Sequence, residues 1–198
     1  MLAISKLPVL LILPFYLTHL LKVFATNLTA NAIVPISGTN MGSVQLPNGD
    51  TRLYYQDRNN GSIIEVVISN AFTIGQYEAS LVLAPSSEVR SNSPVAVSLV
   101  ADGDTFLQVH TFFFSKENIL SEYYWETGIG IQGGADCSTC VTSKGFVGVA
   151  DSQMLYAMAS SATSPPTLRV GFVSAGSPDT ISEAVNTGSG WSVASLTS

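Results

Sequence analysis

The chain has 198 residues, 46% of them hydrophobic and 11% charged, enough to bury one sizeable core or to build a set of small repeats. Lys and Arg together number 8, are nowhere clustered, and leave a net charge of −6. That balance argues against nucleic acid and anionic membrane as partners.

Residues 1–25 carry Lys6, an apolar run from Leu7 to Leu21 and then Val23-Phe24-Ala25, with small residues where a signal peptidase needs them. This is the pattern of a cleaved secretory signal. As a membrane anchor the run is short, and Pro8, Pro14 and His19 interrupt it. Residues 26–39 read as a linker to a body spanning 40–198. Asn27-Leu28-Thr29 and Asn60-Gly61-Ser62 are N-glycosylation triplets, in keeping with export. A secreted glycoprotein, free of the membrane after signal cleavage, is the expectation.

From about Asn31 onward no window places apolar residues at i, i+3, i+4 and i+7 with capping signals. Short runs bounded by Gly, Pro, Asn and Asp occur instead, so the body is expected to be all-β. Its organising stretch is Thr51 to Val67, TRLYYQDRNNGSIIEVV, in which two strand runs flank a polar DRNNGS with the Asn-Gly chemistry of a tight, positive-φ turn. Folding there brings Arg52 and Glu65 together. The pattern recurs, giving units at about 40–85, 93–135 and 152–198. Aligned on Glu65, Glu122 and Glu183, the upstream strand offers Arg52, Gln108 and Arg169, which lie 13, 14 and 14 positions earlier. On this alignment His110 stands where the first unit has Tyr54, and Gly171 does the same in the third. Each glutamate shares a strand face with apolar residues two positions away. A carboxylate in such a row is costly unless it is paired or reaches water at a rim, and the guanidinium fork suits it.

Cys137 and Cys140, spaced C-S-T-C, are the only cysteines, and a local disulfide is the natural reading in a secreted chain. A redox site would want a helix after the first cysteine, and a zinc site would want a second ligand pair. Asp102 and Asp104 lack the spacing of a calcium loop and read as a turn. No nucleotide, metal or other cofactor motif is present, and none of the common catalytic signatures occurs. A pair of carboxylates across one cleft, Glu122 with Asp136 or Asp151, keeps a glycoside-active enzyme as an alternative.

Arg-apolar-Tyr-Tyr-Gln-Asp, a Gly turn, Ile-x-Glu and following aromatics resemble the repeat of the fungal fucose-binding lectins of the Aleuria type, over most of the region from Asn40 to Leu196. The resemblance implies a six-bladed β-propeller of four-stranded antiparallel blades, about three of them in this chain. It also implies fucose pockets between neighbouring blades, in which Arg and Glu from one blade hold the sugar hydroxyls and a Trp or Tyr from the next covers its apolar face. By that likeness Arg52 and Glu65 form one polar pair with Trp125 as the aromatic wall. Arg169 and Glu183 form a second, Trp191 resembles the tryptophan that closes the blade, and Gln108 with Glu122 makes a weakened third. The implied function is a carbohydrate-binding lectin for fucosylated glycans or glycoproteins, without catalysis. A degenerate propeller serving as a structural or protein-binding module is a further alternative. Propellers typically hold about 4 to 8 blades, so three units imply either a ring completed by a second copy or a divergent or truncated member.

Overall fold

The computed structural model describes residues 40–69 and 74–197; the signal segment, the linker and Asn27 lie outside the described residues. Twelve strands form three four-stranded antiparallel sheets. The first contains β1 (Gly42–Gln45), β2 (Thr51–Gln56), β3 (Ile63–Ser69) and β4 (Gln76–Ala84). In the second are β5 (Ala96–Asp102), β6 (Thr105–Phe114), β7 (Leu120–Glu126) and β8 (Gly130–Gly133). The third has β9 (Leu155–Ser160), β10 (Thr167–Ser174), β11 (Ser177–Asn186) and β12 (Trp191–Ser195). In each sheet sequential strands are neighbours, so every sheet is a meander, the blade of a propeller. The described residues hold three blades. A 3₁₀ turn, Val141–Lys144, is the helical element among the described residues.

Local chemistry accounts for the hairpins. At the β2–β3 turn Gly61 has φ +85°, which only glycine adopts without strain, and its N–H donates to the Asp57 carbonyl. Asp57 and Asn60 each accept a backbone N–H two residues on, from Asn59 and Ser62, and fix the loop from inside. Asn60 itself is exposed at the turn.

The first strands of successive blades lie side by side, β1 against β5 and β5 against β9, so the blades fan out from one edge. Apolar faces fill the space between them. Tyr54, Ile63 and Leu83 of blade 1 pack with Val109 and Phe113 of blade 2. Between blades 2 and 3 lie Phe112, Phe114, Leu120, Val170, Phe172 and Trp191. Burying each such ring contributes about 1.5–3 kcal/mol, and the alternation along each strand assigns its two faces to two different interblade layers.

Candidate functional site

In blade 1 the residue directly across from Glu65 is Tyr54, and Arg52 stands one pair further along the same face. Both converge on a single carboxylate oxygen: the Tyr54 hydroxyl donates to Glu65 Oε1 at 2.9 Å, and Arg52 Nε lies 3.7 Å from it. Burial raises the Glu65 pKa, while Tyr54 and Arg52 act to lower it. Burial likewise pushes the Tyr54 hydroxyl well above its ordinary range, so it stays a donor. Tyr54 belongs to the layer against blade 2, so the pair faces that blade.

Blade 3 repeats the arrangement with its parts exchanged. Arg169 Nε is 3.5 Å from Glu183 Oε1, but the residue across from Glu183 is Gly171. The tyrosine that donates to Glu183 Oε1 is Tyr156, one strand over on β9 and paired with Gly171. A Cβ at Gly171 would lie 2.0 Å from Tyr156 Cζ, so the glycine is what admits the ring. Blade 1 has the mirror choice, Tyr54 on β2 paired with Gly42 on β1. Blades 1 and 3 therefore each supply one ring and one glycine at this cross-strand position, whereas blade 2 has Phe112 and Ala96 there. The Arg169 pair is the more open, its side chains 46% and 17% exposed against 18% and 8% for Arg52 and Glu65. It borders a cavity of about 430 Å³ lined also by Met158, Ser160, Thr167 and Val185.

Blade 2 corrects the sequence alignment. Glu122 faces Phe112, and the residue one pair further along, in register with Arg52 and Arg169, is His110 rather than Gln108. The chain from Phe112 to Glu122 is shorter than the matching stretches Tyr54 to Glu65 and Gly171 to Glu183, so offsets counted along the chain slip by one same-face step. His110 Nδ1 lies 2.7 Å from Glu122 Oε1, and Glu122 Oε2 accepts the Val141 N–H at 2.9 Å. Gln108 stands next along the face, its Oε1 3.1 Å from His110 Nε2. A base beside a glutamate thus occurs in all three blades, as Arg, His and Arg. Gln108, His110 and Glu122 line a cavity of about 220 Å³ between blades 2 and 3, closed on the far side by Leu168, Asn186 and Trp191.

The two tryptophans fall in different places. Trp191, on β12, pairs with Asn186, on the opposite face of its sheet from Arg169 and Glu183. It joins the Glu122 cavity instead, edge-on to Phe112 at 5.9 Å. Trp125 pairs with Val109, whose side chain is in the layer against blade 1, and so lies on the face toward Arg52 and Glu65. Its ring stacks on Phe106 at 4.8 Å. Three residues beyond its glutamate, Trp125 is the register equivalent of Asn186, which lines the neighbouring cavity. Cys137 and Cys140 are joined in a disulfide, and Cys140 leads into the 3₁₀ turn that presents the Val141 N–H.

Reading the sequence alone missed Tyr54, Tyr156, His110 and Val141 as partners of the glutamates. The signal for Tyr156 was the glycine at 171, an empty position in an otherwise bulky column. A carboxylate held by a donor on a partly covered sheet face, beside a neighbouring blade's aromatic ring, has the chemistry to hold hydroxyls in fixed directions and cover an apolar ring face.

No family model matches the sequence, and no curated protein matches it. Solved structures do. The chain is similar to AofleA from Arthrobotrys oligospora, with 19% identity over 80% of this chain and 42% of that one and a TM-score of 0.62. A variant of the Aleuria aurantia lectin in complex with Fucα1-6GlcNAc gives 24% identity over 81% of this chain and 49% of that one, at a TM-score of 0.62. The fold is that of the Aleuria-type fucose lectins. This chain spans about half the length of those two lectins or less, whereas it covers 100% of a fucose lectin from Kordia zhangzhouensis solved with methyl-fucoside, at 15% identity, 80% of this chain and a TM-score of 0.57.

Proposed function

We propose that this protein is a secreted carbohydrate-binding lectin that recognises fucose-type glycans in the grooves between neighbouring blades, without catalysis. The observation that carries the reading is the recurrence of a base against a glutamate at one register position of all three blades: Arg52–Glu65, His110–Glu122 and Arg169–Glu183. A single cross-strand ion pair is ordinary. Three, each on a face that receives the next blade or is open to receive one, are the makings of a repeated ligand site. The fold supports the reading through its likeness to lectins solved with fucosides.

On this reading Trp125 and Trp191 supply the apolar walls, and several weak sites on one body give useful avidity on a glycan-covered surface. Pairing of copies would supply a following blade to the Arg169–Glu183 face. Asn27 and Asn60 are the glycan acceptors of the exported protein. The test is a glycan array with the full protein and Arg52→Ala. Fucosylated glycans should be retained by the native form and weakened severalfold or lost in the variant, and a fucosyl chromogenic substrate should be bound without turnover. An array blank for both proteins would leave a structural or protein-binding module as the better account.

A further inference from the structure

The cavity between blades 2 and 3 differs from the two arginine sites in one chemical respect: its base can lose its charge. Arginine is protonated at every pH a protein meets, whereas histidine changes charge between roughly pH 5 and 8. What that proton does here follows from the hydrogen bonds. Glu122 Oε2 already accepts the Val141 N–H, and Oε1 lies 2.7 Å from His110 Nδ1. With a carboxylate on that side, Nδ1 carries a hydrogen in either charge state, and the variable proton is the one on Nε2. Nε2 is 3.1 Å from Gln108 Oε1, the acceptor to which a protonated ring donates. Gln108 also lines the cavity, and with its oxygen engaged by the ring its amide nitrogen is the group left free to donate to a ligand there. Once Nε2 is a bare lone pair it can only accept, so the Gln108 amide must turn over, donate its N–H to the ring, and swing its carbonyl toward the cavity.

We propose that the groove between blades 2 and 3 is a saccharide site switched by His110: the protonated ring sets Gln108 as a donor beside the Glu122 acceptor, as Arg52 and Arg169 are permanently set, and the neutral ring replaces that donor with a second acceptor. The inference rests on the lectin reading of these grooves. His110 is a positioning residue, acting through Gln108. Few other charges face it. Tyr124 stacks on it at 5.0 Å from the neighbouring strand, with Glu126 beyond, and Ser98 is its partner on β5. Blade 3 presents Leu168, Asn186 and Trp191, all uncharged, and the disulfide loop presents Thr139.

The probe is methyl α-L-fucoside, and the protein is the full chain with Arg52→Ala and Arg169→Ala, so that the His110 groove is the site under observation. Binding is expected at about pH 5.5 and should weaken about tenfold or more by about pH 8, the two sides of the histidine range. In the same background His110→Arg should bind at both. Because a buried arginine can disturb folding, calorimetry of the arginine-silenced protein near pH 7 in phosphate and in Tris gives an independent readout. Binding should take up protons, seen as a heat that differs between the buffers. Affinity that is independent of pH, binding without proton uptake, or a pH dependence that survives in folded His110→Arg would overturn the switch. So would a silenced protein that binds at neither pH while the native protein binds. A native protein blind to fucoside at both pH values would overturn the lectin reading instead.

Discussion

A carboxylate placed on a sheet face that another blade covers loses hydration, and the folded protein must offset that loss with donors. Each blade does so with its own set of donors: Tyr54 and Arg52 on Glu65, His110 and the backbone Val141 N–H on Glu122, Tyr156 and Arg169 on Glu183. For Glu65 the offset is incomplete, because burial still raises its pKa. The sign for stability follows from linkage. Between its unfolded and its higher folded pKa the folded state keeps a proton that the unfolded chain has lost, so stability falls as pH rises through that window. Glu65→Gln should therefore abolish the blade 1 site yet match or exceed the native Tm by about 2 °C at neutral pH. The difference in Tm between variant and native should grow as pH rises from the ordinary carboxylate range, as thermal melts across pH would read. A variant less stable than native at every pH would show that the carboxylate is a net structural asset and not a group held for a ligand.

Strand pairing, and not position along the chain, decides which side chains meet. Register puts Tyr54 directly across from Glu65 with Gly42 beyond it, and Gly171 directly across from Glu183 with Tyr156 beyond it. The aromatic ring has moved by one strand while the glutamate it serves has stayed. This complementarity is steric, since no Cβ fits at 171 beside the Tyr156 ring. Overpacking of this kind costs about 1–3 kcal/mol, so Gly171→Ala should lower Tm by about 3–10 °C. Adding Tyr156→Ala should restore part of the loss, with a double-mutant cycle far from additive. Additive losses would mean that the two positions do not share one space.

At the scale of the molecule the three blades are tied by a residue outside all of them. Arg90, in the connection between blades 1 and 2, is buried; its carbonyl accepts from Gln56 of blade 1, its Nη1 donates to Asn118 Oδ1 in the β6–β7 turn, and its Nη2 donates to the Ser152 carbonyl ahead of blade 3, both at 2.7 Å. The guanidinium also lies over the Phe114 ring, 4.8 Å from its centroid. Charged hydrogen bonds of this kind are worth about 1.5–3 kcal/mol each, so Arg90→Ala should cost about 6–12 °C in Tm. Lys at 90 should recover little, because an ammonium cannot span two acceptors set for a planar fork. Full recovery by Lys would show that charge alone, and not the bridge between blades, matters there.

The sequence by itself determined the strands, their grouping into three units and the glutamate column. Alternation along TRLYYQ and IIEVV, glycine at turns, and a repeated carboxylate are local properties that survive without any knowledge of what packs on what. It could not determine partners. Gln108 took the place of arginine when positions were counted along the chain, and only the β6–β7 pairing put His110 there, because the number of residues in a turn is free to vary while the pairing of strands is not. In the same way Trp191 lies with Glu122 of the preceding blade and not with Glu183 of its own, since a strand's two faces belong to two different grooves and only the assembled blades decide which groove a ring enters.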